Sequence, residues 1–161
     1  GLREATAGAN RVVGQAKLEG KLDDCQLGYL GYADYQDGGV ELKTKWDRKA
    51  DTDKPSANSL PSSIQFSHLT QIAGYWHMSG IWPKIVYANR LGYKVFEPTL
   101  DQLHAGLAAI TEACKRRERL LRAAETTQDL LKLCDPDWGH VFAWNNVAPE
   151  ILDEAKKLWR E

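Results

Sequence analysis

Residues 28–46, GYLGYADYQDGGVELKTKW, hold the choice of fold. Asp37-Gly38 followed by Gly39 offers the positive φ angles of a tight turn, and aromatic and β-branched residues flank it, so the stretch predicts a β-hairpin. With Asp37 and Gly38 as the loop, or a looser loop from Gln36 to Gly39, Tyr35 falls opposite Val40 and Asp34 opposite Glu41. Side chains alternate across a sheet, so Asp34, Glu41 and Lys43 share one face while Tyr35, Val40 and Leu42 share the other. Opposed carboxylates repel unless something positive lies between them. Hard oxygen ligands from one or two carboxylates, completed by water and phosphate, are what magnesium accepts at a phosphoryl-transfer site. Lys43 could then orient or help deprotonate an attacking water, or stabilise charge developing on phosphate. The same three residues also fit the solvated outer face of a hairpin, and spacing alone leaves both readings open.

Gly31-x-x-Asp34 followed by Glu41-x-Lys43 resembles the core of the PD-(D/E)XK nuclease superfamily. Gln71-Ile-Ala-Gly-Tyr75 resembles the QxxxY motif of its RecB-type and phage-exonuclease branch, where the motif lies on a helix after the catalytic hairpin. The likeness spans residues 16–80. It implies Asp34 and Glu41 as ligands of Mg²⁺ or Mn²⁺, Lys43 as the catalytic lysine, and Gln71 and Tyr75 as a pair that organises the site and contacts nucleic acid. The branch also carries an upstream Glu or His on an N-terminal helix. Glu4 stands at a suitable place but has no motif around it, so an exposed helix residue is its other reading.

The activity so implied is that of a metal-dependent deoxyribonuclease, an exonuclease leaving 5′-phosphates, in phage recombination, DNA repair or the processing of DNA ends. A structure-specific endonuclease or junction resolvase, or a non-catalytic DNA-binding domain, are the alternatives. The implied fold is α/β (α+β), a mixed central β-sheet flanked by helices in a restriction-endonuclease-like core. Partners are DNA, no membrane, and optionally a second copy or a recombination or replication protein. Some relatives hold an iron–sulfur cluster on four cysteines; Cys25, Cys114 and Cys134 are too few, and no cluster is expected.

A length of 161 residues fits a single domain, 1–161, within the usual range of about 100–200. No run approaches the roughly 18 apolar residues of a membrane span, no secretory signal is legible at the N-terminus, and dispersed thiols suggest an intracellular setting. A net charge of −1 argues against coating nucleic acid by bulk electrostatics, so DNA contacts must be local. Lys45, Arg48 and Lys49, just past the proposed metal ligands, form the patch expected to meet DNA phosphates. The basic run at 115–119 with Arg122 reads as a solvated helix face.

Along the chain, residues 2–15 read as a helix, then 16–23, 26–35 and 39–46 as strands. Residues 47–63, DRKADTDKPSANSLPSS, read as a loop that either lies against substrate or merely connects. A helix over 67–79 places His68, Gln71 and Tyr75 on one face, with His68 a further candidate for DNA contact and Ile72 and Trp76 on other faces as core. KIVY (84–87) and YKVF (93–96) form a second hairpin. Thr99 caps a long helix whose stripe is Leu100, Leu103, Leu107, Ile110 and Cys114, and Pro149 opens a short terminal helix. No P-loop, dinucleotide fingerprint, nucleophile elbow or zinc spacing is present in the sequence.

Overall fold

The computed structural model describes residues 11–35, 39–44, 60–139, 144 and 147–159. In chain order they form β1 (Arg11–Lys21), β2 (Gly28–Tyr35), β3 (Val40–Thr44), α1 (Phe66–Ser79), β4 (Lys84–Asn89), β5 (Gly92–Phe96), α2 (Leu100–Ala123), α3 (Thr127–Leu133) and α4 (Pro149–Leu158). The 161-residue span divides into two compact units, Gly1–Cys114 and Lys115–Glu161, with the boundary inside α2. No helix among the described residues is long and apolar enough to cross a membrane.

In the first unit, β4 organises the sheet. Its sequence KIVYAN is nearly continuous in apolar residues, which is the pattern of a strand covered on both faces. It lies between β3, to which it is parallel, and β5, to which it is antiparallel. Parallel neighbours need a crossover connection, and α1 lies within the connection between β3 and β4. Ile85 and Tyr87 pack with Leu60, Leu69 and Ile72 on the α1 side, and Val86 packs with Tyr35 and Val40 on the other. Glu41 pairs in register with Ile85 and Lys43 with Tyr87, so both charged residues stand on the face that α1 covers.

This arrangement revises the expected hairpin. Tyr35, Val40 and Leu42 do share an apolar cluster, as alternation predicted. However, β2 pairs with β1 and β3 with β4, so Asp34 and Glu41 are not ladder partners. On β3 the Leu42 N–H is taken at 3.0 Å by the Asp34 carboxylate, where a hairpin ladder would place a strand carbonyl. The turn residues 36–38 lie outside the described residues. The sheet is mixed, as expected, but has three strands and hydrogen-bonds separately from the antiparallel β1–β2 pair.

The expected helix over 2–15 is also corrected, because residues 11–15 belong to β1. Val12 and Val13 are β-branched and Gly14 is a poor helix former, while β2 offers a pairing edge from Ala16↔Ala33 to Lys21↔Gly28. Residues 1–10, including Glu4, lie outside the described residues.

Two glycines let α1 approach β2 closely. An added Cβ on Gly31 would collide with the Tyr75 ring, and one on Gly74 would come within 2.8 Å of the Tyr29 ring. Each element thus presents a tyrosine to the other's glycine. At the start of α2, Thr99 accepts the Gln102 N–H at 3.2 Å while Gln102 Oε1 accepts the Thr99 N–H at 2.9 Å, confirming the cap. Of the proposed α2 stripe, Leu103 is fully buried, whereas Leu100 in the first turn is exposed.

In the second unit, Thr126 and Asp129 form a capping box on α3, and Pro149 occupies the first turn of α4. Neither helix contributes a buried residue.

Gly31→Ala should destabilise the protein by about 1–3 kcal/mol, the usual cost of overpacking. Combining it with Tyr75→Leu should cost less than the sum of the two single changes. Strict additivity in thermal melts would mean that the ring does not rest on Gly31.

Candidate functional site

The site is built where β3 passes beneath α1. Glu41 and Lys43, two residues apart on one strand face, meet Gln71 and Tyr75, one turn apart on one helix face. Glu41 is only 3% exposed. Its Oε1 accepts from Lys43 Nζ at 2.7 Å and from Gln71 Nε2 at 2.9 Å. Lys43 Nζ also donates to Gln71 Oε1 at 2.7 Å, closing a ring of three side chains. Gln71 Nε2 donates further to the Tyr75 hydroxyl at 2.7 Å, and that hydroxyl donates to the Tyr32 carbonyl at 2.8 Å. Strand β3, helix α1 and strand β2 are thereby tied through one polar chain.

The other Glu41 oxygen, Oε2, is buried and has no hydrogen-bond partner among the described residues. Burial raises the Glu41 pKa above the ordinary carboxylate value; the Lys43 hydrogen bond and charge oppose this, the Asp34 charge adds to it, and Gln71 opposes it. Asp34 is half-buried, with Oδ2 on the Leu42 N–H and Oδ1 3.4 Å from Gln15 Nε2. Two carboxylates therefore lie near enough to repel, with one buried oxygen left bare.

Two carboxylates placed in this way are groups that could hold a hard divalent cation. Among the described residues no three His, Cys, Asp or Glu side chains come together. Magnesium commonly takes only one or two carboxylates and completes its shell with water and substrate phosphate, so Asp34 and Glu41 are the two side chains that could hold one. Manganese accepts the same oxygen donors.

Tyr75 is 2% exposed, and burial first of all pushes its pKa up to about 12. Its hydroxyl stays protonated at neutral pH and bridges Gln71 to β2. The ring is packed against Gly31, so its visible part is in organising the site.

His68 lies on the expected helix, but its Nδ1 is 2.8 Å from the Tyr87 hydroxyl, which also accepts the Gln65 N–H at 3.0 Å. Burial, then the Lys43 charge, lower its pKa. These contacts tie His68 to β4 and not to the Glu41 ring. Lys45, Arg48 and Lys49 fall outside the described residues.

Two participants were missed from sequence. Tyr32, whose carbonyl ends the polar chain and which is 49% exposed, precedes Asp34 by two on the same strand. No side-chain pattern signals it, because Tyr32 contributes its backbone carbonyl. Gln15 was hidden by the helix assigned to 2–15.

The chain matches no protein-family profile, no curated protein and no solved structure. Its functional reading rests on the geometry of these side chains and on the motif resemblance.

Because the folded-state pKa of Glu41 is raised, the native state holds that proton more firmly than the unfolded chain does. This contribution is fully present below the unfolded value and is lost as pH rises through the raised value. In EDTA at about pH 8, well above the ordinary carboxylate range, Glu41→Gln should therefore be more stable than wild type by about 1–3 kcal/mol, the range for an unpaired buried polar group. The gap should close as pH falls toward about 4, the unfolded glutamate value. Urea unfolding at both pH values measures it. A variant less stable at pH 8 would show that the ion pair with Lys43 outweighs burial.

Proposed function

We propose that the chain is a metal-dependent deoxyribonuclease, acting as an exonuclease that leaves 5′-phosphates. The observation that carries this reading is the Glu41–Lys43–Gln71 ring, with a bare buried oxygen on Glu41 and the Asp34 carboxylate beside it. β2 and the β3–α1–β4 arrangement would be the centre of a restriction-endonuclease-like core, in an intracellular protein working on DNA ends alone, as a homo-oligomer or beside a recombination partner.

Asp34 and Glu41 would hold Mg²⁺ or Mn²⁺. Such an ion polarises a phosphoryl oxygen and acidifies a water. The chain's own residues account for the rest. Lys43 spends two of its three ammonium protons on Glu41 and Gln71, and the third is available to a water or a phosphate oxygen. Held from both sides, the ammonium needs little reorganisation as negative charge develops on the phosphate. Gln71 fixes Glu41 and Lys43 together, and Tyr75 fixes Gln71. The water oxygen bonds to phosphorus and gives up a proton to solvent, the bond to the 3′-oxygen breaks, and that oxygen takes a proton from solvent and leaves as a hydroxyl. Lys45, Arg48 and Lys49 would bind the flanking phosphates.

End-labelled single- and double-stranded DNA and closed circular DNA should be incubated with Mg²⁺, Mn²⁺ and EDTA. Linear DNA should be shortened to 5′-phosphorylated products only with metal, and circles should survive. Cut circles would favour the endonuclease reading. Asp34→Asn, Glu41→Gln and Lys43→Ala should each lose about 100-fold or more in rate. Mn²⁺ should raise the Tm of wild type and Lys43→Ala by mass action, and that of the amide variants much less. Equal shifts in all four proteins, or full activity in Glu41→Gln, would refute the site.

For DNA binding, each Ala substitution at Lys45, Arg48 or Lys49 should reduce the log–log salt slope by about 0.7–0.9 per lost phosphate contact. An unchanged slope would put the binding surface elsewhere.

A further inference from the structure

Three of the six tryptophans, Trp138, Trp144 and Trp159, lie in the second unit. The Trp138 ring is 4.8 Å from Trp144 at an interplanar angle of 39°, and 5.7 Å from Trp159 at 86°. Trp144 Nε1 donates to the Asp137 carbonyl at 2.9 Å, and Trp159 Nε1 to the Cys134 carbonyl at 2.7 Å. Those bonds fix two indoles in orientation. A closed core would bury such a cluster, yet all three tryptophans are only partly buried and α3 and α4 hold no buried residue. A cavity of about 330 Å³ opens there instead, lined by Asp135, Pro136, Trp138, Lys156 and Trp159.

The lining selects a chemistry. Two indoles nearly at right angles offer a stacking face and a side wall to a flat ring. Lys156 offers a cationic donor, and Asp135 an anionic acceptor. The volume lies at the low end of ligand pockets, about 300–1,000 Å³, and suits one such ring. An unpaired nucleotide supplies a base to stack, a phosphate for Lys156 and a base N–H for Asp135. A base within a duplex has its faces covered and its N–H groups paired, so it supplies neither. A proline-rich peptide also docks on aromatic grooves, but it has no anion for Lys156 and no N–H-bearing ring for Asp135.

We propose that the second unit carries a pocket for an unpaired nucleotide of single-stranded DNA, with the base against Trp138 and Trp159 and the phosphate on Lys156. The choice of DNA rests on the nuclease reading, but the pocket uses none of the residues of the Asp34–Glu41 site.

The full chain in EDTA should be titrated with a thymidylate oligomer while tryptophan emission and oligomer anisotropy are followed. The oligomer should quench emission. Trp138→Ala should weaken binding about 5- to 150-fold, the range for losing one stacked base, and Trp138→Phe should retain most of it. Lys156→Ala, a substitution on a part-exposed helix position, should lower the salt slope by about 0.7. Absence of quenching in wild type would overturn the pocket. So would wild-type affinity in both Trp138→Ala and Lys156→Ala, or quenching by a proline-rich peptide and not by the oligomer. The titration needs neither metal nor turnover. The nuclease reading is judged separately by cleavage in wild type and by the Mn²⁺-induced rise in Tm without DNA, and only that rise in Tm should be retained by Trp138→Phe and Lys156→Ala.

Discussion

The Glu41 carboxylate takes two hydrogen bonds on one oxygen and none on the other, in a place almost closed to water. Burying a charge is unfavourable unless it is paired and its remaining lone pairs are occupied. Lys43 and Gln71 meet only half of that demand. The parallel register of β3 on β4 makes the burial unavoidable, because it places Glu41 beside Ile85 under the helix and not toward solvent. A fold selected for stability alone would put an apolar residue at 41. The side chains that hold Glu41 are themselves held by Tyr75 and the Tyr32 carbonyl, so the local cost is shared by β2, β3 and α1.

The two faces of β4 divide the first unit by chemistry. One face joins Val86 to Tyr35, Val40 and Leu42 in an apolar cluster. The other continues from the apolar packing of Ile85, Tyr87 and Ile72 into the polar ring on β3. A rigid core and a charged site therefore share a surface, and α1 covers both with adjacent residues: Ile72 belongs to the core and Gln71 to the site.

Much of the site was legible because it depends on short-range periodicity. Glu41 and Lys43 share a face through strand alternation, and Gln71 and Tyr75 through the helical turn; neither inference needs tertiary knowledge. What failed was the partner of each strand. Asp-Gly-Gly suggested that β2 and β3 pair, but no local signal reveals that the Asp34 side chain takes the Leu42 N–H or that β4 takes the other edge. The helix expected over 2–15 gives way to a strand at 11–15 for a similar reason, since β1 acquires its conformation from pairing with β2. His68 had the right spacing, but its contact depends on Tyr87, which the sequence alone does not bring to it.

The reciprocal seating of Tyr75 on Gly31 and Tyr29 on Gly74 bears on how such a chain can diverge. Each contact couples a residue that must stay small to one that must stay aromatic, on elements far apart in sequence. Drift at any of the four positions would be tolerated mainly when its opposite member changes too. Gly31 lies three residues before Asp34 and Gly74 lies between Gln71 and Tyr75, so this steric lock would hold the approach of β2 to α1 whatever the polar residues beside it do. In diverging lineages, paired change at 31 with 75 and at 29 with 74 would be the lasting trace of common ancestry.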